Sequence, residues 1–279
     1  MLLIHRRSPV VVVAAGSVAA TLGILGVVWA LRPPEPGAPT RKARRIVAAL
    51  QAMPSSPLAP LTPRPAALAP PIETPAARKV PVVIERRQVR ATLPDRSTQP
   101  LRLEEKAAGM AIEIQPRDVV DVVAQSADGY YVYPGAHRSG GTLLHRVAED
   151  GAEDFVSFET RPPAPEVAYD LKLDKGVGGL RLVEGTLELL DASGTPRLRA
   201  APPFIAGADG TRTDATLAVE GCAVDTDPAG PWGRAVTAPG AATCTLRVRW
   251  PDEAVEYPAV LDPKWSTTGN LSVARQDTT

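Results

Sequence analysis

His137 and His145 are the only histidines beyond the first few residues of this chain, so any imidazole-based proton transfer must run through one of them. A serine or cysteine nucleophile needs such a base within hydrogen-bond reach, and no Gly-x-Ser-x-Gly elbow supplies one. For a hydrolase module only Glu104, His137 and His145 stand as candidates, and the spacing gives them no common motif. The acidic pairs Glu104-Glu105 and Asp252-Glu253 lie in polar, turn-like stretches where solvated surface charge is the ordinary state. The reading is therefore of a chain with no catalytic, cofactor-binding or metal-binding residues, and no cofactor.

Two stretches come near to known ligand loops. Gly135-Ala136-His137-Arg138-Ser139-Gly140-Gly141-Thr142 follows an expected strand at Tyr130–Tyr133 and has almost the form of a phosphate-cradling loop. Gly141 stands where that loop needs a lysine, and no long helix follows to offer its N-terminus, so a glycine-rich turn is expected. Asp225, Asp227 and Gly230 faintly resemble a calcium loop, but an intervening proline and the lack of a closing glutamate leave too few oxygen ligands.

The elements that must position these residues are short strands. Beyond residue 79 the chain runs in short alternating segments broken by Gly, Pro and Asp, which predicts a mainly β fold, an antiparallel sandwich or meander, over residues 82–265. Val167, Tyr169, Leu171 and Leu173 alternate with polar residues, as a half-buried strand requires. Residues 180–183, 187–190 and 198–200 read as a meander, turned at Glu184-Gly185 and at Asp191-Ala192-Ser193-Gly194. Cys244, Leu246, Val248 and Trp250 share one strand face, which turns Cys244 toward the core.

The first third is built differently. His5, Arg6 and Arg7 precede an apolar, uncharged run at residues 10–31, which as a helix would span about 30 Å, the thickness of a hydrocarbon core. Residues 1–31 are expected to be a signal peptide or a signal anchor; Val28-Trp29-Ala30 is the best cleavage site, though its tryptophan is bulky for one. Residues 32–81 are expected to be a proline-rich disordered stalk, since prolines between 54 and 81 remove backbone donors and fix φ. Within it, residues 41–53 could form a short amphipathic helix, with Ile46, Val47, Leu50 and Met53 on one side and basic residues on the other.

Arg32, Arg41, Lys42, Arg44 and Arg45 outnumber the arginines before the apolar run, and that bias would keep the bulk of the chain cytoplasmic. The cysteine pair argues the other way. Cys222 and Cys244, 22 positions apart, most simply form a disulfide in an oxidising compartment, worth on the order of 3 kcal/mol; two buried thiols are the alternative. Export is the reading adopted: a cell-envelope or extracellular protein, inserted in the inner membrane if the N-terminal segment is not cleaved. A membrane-tethered cytoplasmic regulator is the rival. Lysine plus arginine equals aspartate plus glutamate at 31 each, so no net field draws the chain to nucleic acid. The expected partners are a protein or glycan at the cell surface and, through the N-terminal helix, the membrane.

Tyr257-Pro258-Ala259-Val260-Leu261-Asp262-Pro263-Lys264-Trp265, followed by Ser266-Thr267-Thr268-Gly269-Asn270-Leu271, resembles the junction that leads into the repeats of large secreted myxobacterial-type kelch proteins. Stretches such as Asp154-Phe155-Val156, Gly179-Leu180-Arg181-Leu182-Val183 and Glu220-Gly221-Cys222 resemble their β-rich leader domain, and the likeness covers about residues 120–279. Gly269, Leu271 and Ala274-Arg275 fit the opening of a repeat, whereas Thr278 stands where that opening usually has histidine. The resemblance implies a leader domain with residues 266–279 as a fragment of a first kelch repeat, truncated before any blade can form. It also implies a non-enzymatic exported interaction protein, since the propellers of such proteins serve as binding surfaces.

Overall fold

The computed structural model describes residues 38–58 and 82–268, all of them within one compact unit. The apolar run at 10–31, the proline-rich stretch at 59–81 and the repeat opening at 269–279 lie outside the described residues. Among the described residues no helix is long and apolar enough to cross a membrane.

The fold is mainly β, as expected, and consists of two sheets that share one hydrophobic core. The smaller has seven strands: β2 (Val82–Glu85), β3 (Val89–Leu93), β4 (Leu101–Glu105), β5 (Met110–Pro116), β10 (Glu166–Leu173), β16 (Thr216–Glu220) and β17 (Thr243–Arg249). They pair antiparallel in the order β16-β17-β10-β5-β4-β3-β2. Here the period-2 reading holds. Val167, Tyr169, Leu171 and Leu173 of β10 face inward beside Leu246, Cys244 and Val248 of β17, with Leu171 opposite Cys244. The outer face carries cross-strand charge pairs such as Lys172 with Glu113 at 3.1 Å and Arg90 with Glu104 at 3.2 Å. Being exposed, each contributes only about 0–1 kcal/mol.

The larger, 12-stranded sheet contains β6 (Gln125–Ala127), β7 (Tyr130–Tyr133), β8 (Thr142–Val147), β9 (Gly151–Phe158), β11 (Gly179–Val183), β12 (Thr186–Leu190) and β13 (Pro196–Ala200), with β14 (Phe204–Ala206), β15 (Arg212–Asp214), β18 (Ala259–Asp262) and β19 (Lys264–Thr267). Its short first strand, β1 (Ala38–Pro39), pairs parallel with β6. The expected meander is β11-β12-β13, and Glu184 and Gly185 both take positive φ at its first turn, as a tight hairpin of this hand requires. Strand β9 organises the sheet: one edge pairs with β8, and the other is divided between β18 and β19. Pro263 sits at that division and cannot donate to the ladder, although its carbonyl accepts from the Asp154 amide at 3.3 Å.

Residues 38–58, expected to belong to a disordered stalk, fold onto the larger sheet. Thr40 caps a helix, α1 (Arg41–Gln51), its Oγ1 accepting from the Ala43 amide at 3.0 Å. Apolar residues at 43, 46, 47 and 50 line one side of it. A helix of this length is marginal alone, so packing must hold it. Ala43, Val47 and Leu50 are buried against Ala127, Tyr130, Val132, Leu144, Phe155 and Val260, on the face of the sheet turned away from the shared core. Strands β7 and β9 are consequently buried on both faces. At the other end, Ser266 and Thr267, assigned by sequence to a repeat fragment, belong to β19 and pair with β9 and β13.

Candidate functional site

Two places depart from the ordinary rule of polar groups outside and aromatic groups inside. The first is in the core. His145 of β8 stands opposite Asp154 of β9, and its Nδ1 lies 3.1 Å from Asp154 Oδ1, with the two side chains 3% and 0% exposed. The Tyr133 ring meets the imidazole edge-on, while Tyr169 reaches into the same core from β10. Burial, and then the Asp154 charge, push the Tyr169 phenol well above its ordinary range, so it stays protonated. Neither Asp154 oxygen, nor His145 Nδ1, nor the Tyr169 hydroxyl makes a hydrogen bond of good geometry. This is an acid beside a base, sealed from any substrate in this conformation.

The other sequence candidates are not gathered around it. Glu104 points outward from the smaller sheet and pairs with Arg90. His137 lies in the β7–β8 turn, where its Nδ1 is 2.5 Å from Ser139 Oγ. Burial lowers the His137 pKa, partly offset by Asp118. That serine–histidine contact, between neighbours two residues apart, was not foreseen from spacing. The turn's amides are largely taken: Gly140 donates to the His137 carbonyl at 2.9 Å and Arg138 to that of Asp118 at 2.7 Å. The glycine-rich stretch runs directly into β8, as its reading as a turn expects.

The second place is on the surface. Cys222 and Cys244 are joined in a disulfide, with Cα atoms 5.5 Å apart, and close a long loop between β16 and β17. The loop lies along β11: Asp225 donates its amide to the Leu180 carbonyl and accepts from the Leu182 amide, at 2.8 and 2.9 Å. Two guanidinium groups brace it. Arg181 of β11, almost fully buried, holds Glu188 at 2.7 Å and the carbonyls of Pro228 and Ala229 at 3.0 and 3.2 Å. Arg234 holds the carboxylates of Asp225 at 2.7 Å and Asp227 at 2.9 Å, and the Gly230 carbonyl at 3.0 Å. The Asp227 amide, and then the Arg234 charge, keep the Asp225 carboxyl below its usual range. Both carboxylates that hinted at a calcium loop are thus engaged by an arginine, and among the described residues no group of three or more acidic, histidine or cysteine side chains gathers as a metal site.

This brace displays Trp232. Trp250 and Trp265 are 3% and 1% exposed, whereas Trp232 is 63% exposed. Its indole lies over Gly230, where a Cβ would come within 2.7 Å of the ring. Pro231 beside it is buried. The ring thus rests against Gly230 on a loop braced by the disulfide and by Arg181 and Arg234. An indole face offers a large apolar area and a negative quadrupole to C–H-rich or cationic surfaces, which is binding chemistry rather than bond-breaking chemistry. The sequence puts Trp232 between Cys222 and Cys244, but spacing alone does not single it out. Pro231-Trp232-Gly233 was the available hint; only the exposure of the ring gives it weight. Comparison with known proteins found no matching family model, no matching curated protein and no matching solved structure.

Proposed function

We propose that this protein is a non-enzymatic, exported cell-envelope or extracellular interaction protein, and that the Trp232 loop is its contact surface for a protein or glycan. In this reading the two sheets form a sandwich that acts as a rigid mount, tethered by the N-terminal segment. The resemblance of residues 257–271 to a kelch junction supports placing it as the leader domain of such an interaction protein. The observation that carries the proposal is the exposed indole on a loop braced by a disulfide and two arginines. A freely exposed tryptophan is a poor use of apolar area, but one fixed in orientation is a typical hot-spot residue because little conformational freedom remains to be lost on binding.

The test compares the wild-type protein with Trp232→Ala for binding to isolated cell-envelope material, read by co-sedimentation. The expected result is at least a tenfold loss of binding, on the order of what one hot-spot residue contributes, at an unchanged melting temperature. Equal binding by the two proteins, or none by either, overturns the assignment of the loop. Protease accessibility from outside the cell separates the exported protein from the cytoplasmic regulator.

A further inference from the structure

The unusual feature of α1 is its exposed side. Arg41, Lys42, Arg44 and Arg45 are all exposed, and among the described residues none of them has an acidic partner. Four cations occupy the first five positions of the helix, the end where the helix dipole is itself positive, and no acidic residue stands in that turn. Arg41 is also three and four residues from Arg44 and Arg45, the spacing at which like charges on a helix repel. Each of these choices disfavours the isolated helix, and none is relieved by an acidic side chain among the described residues. An anion from outside would relieve all of them.

The chain itself indicates the source of that anion. Arg41 comes ten positions after Leu31, the end of the apolar run. The apolar side of α1 is already occupied by Val47, Leu50 and their partners on the sheet, so the helix cannot enter a bilayer as an amphipathic peptide would. What it can present is a fixed basic surface. Because the helix is packed on the β6–β9 part of the larger sheet, any surface that it contacts also orients the whole two-sheet body.

We propose that the Arg41, Lys42, Arg44 and Arg45 face of α1 seats on anionic lipid headgroups. The charge argument does not depend on what Trp232 binds, and it holds on either side of the membrane.

The test uses the full chain in lipid nanodiscs, with a fluorophore on Ala48→Cys, on the exposed side of α1, and a quencher attached to the headgroups. With about one-third phosphatidylglycerol, the label is expected to be quenched several-fold more than in phosphatidylcholine alone. Raising salt, or the joint replacement Arg41→Gln, Lys42→Gln, Arg44→Gln and Arg45→Gln, should abolish the difference, since lipid attraction to polybasic surfaces is screened and scales with the number of cations. All four residues are exposed, and an unchanged melting temperature confirms that the variant folds. Equal quenching in the two lipids, or quenching that survives the quadruple replacement, overturns the proposal. A charge-dependent response to added polyphosphate without one to phosphatidylglycerol would assign the face to a soluble polyanion and overturn the lipid.

Discussion

The core around Asp154 and the loop around Trp232 are opposite exceptions. In one, an acid and a base are enclosed where apolar side chains would pack more cheaply; in the other, the largest apolar side chain type stands in water. Their surroundings show which exception can act. His145 and Asp154 have the residue types of a proton-transfer pair but are enclosed, whereas Trp232 has no reactive atom yet is largely exposed. Acting on a partner requires that identity and accessibility be present together. By that criterion the Trp232 loop is the site proposed for contact.

The strongest way to break this contrast is at Asp154. Removing one member of a buried pair leaves the other uncompensated, so Asp154→Ala should cost about 3–5 kcal/mol in urea denaturation. The double replacement His145→Leu with Asp154→Leu should cost much less than the sum of the single changes, because two apolar side chains leave no orphaned buried polar group. If the double variant instead loses envelope binding at normal stability, the pair is functional and the contrast fails.

Asp262 offers a half-buried carboxylate on the α1 side of the sheet, within the field of Arg146. Burial, and then the charge of Glu153, push its pKa up to about 7 against the attraction of Arg146. The folded protein therefore holds this proton more tightly than the unfolded chain does. The resulting stabilisation is present in full below the ordinary aspartate range and is lost as pH rises from about 4 through 7, by at most ~4 kcal/mol. Asp262→Asn should flatten stability over that window and exceed the wild type in stability at pH 8. Melting curves across pH test both statements.

Opening the disulfide moves to the surface. Reduction, or Cys222→Ala with Cys244→Ala, should lower stability by about 3 kcal/mol and raise amide exchange across the loop, while β11-β12-β13 keeps its protection. A loop as protected as before would mean that Arg181 and Arg234 suffice. The smallest effect on stability is expected at the proposed contact residue: Trp232→Ala should change unfolding free energy by less than about 0.5 kcal/mol, since little area is buried by folding there. A larger loss would show that the indole serves packing rather than a partner.

The smaller sheet and the meander were legible because each strand buries one face, so a local alternation such as Val167, Tyr169, Leu171 and Leu173 carries the full information about which way it packs. The disulfide was legible for a similar reason, since the alternation through Trp250 turns Cys244 inward. The larger sheet was less so. Strand β9 reads Gly-Ala-Glu-Asp-Phe-Val-Ser-Phe, with two acidic residues in its middle, and nothing local announces that all eight positions are buried. That follows from α1 covering one face and the second sheet the other. The helix itself was visible as an amphipathic period, but its docking was not, because a period gives a face and not the partner of that face.

What the sequence alone determined was therefore the set of one-sided patterns: the β class, the meander and an amphipathic period over residues 41–53 within an expected stalk. The tertiary structure alone decided that residues 38–58 pack on the larger sheet, that His145 meets Asp154 out of reach of solvent, and that Trp232 stands exposed in the loop that Arg181 and Arg234 brace. The physical reason is range. Strand and helix periodicity arise from backbone geometry within a few residues, whereas exposure is set by elements far apart in the chain, such as Arg181 and the carbonyls of Pro228 and Ala229 nearly fifty residues on.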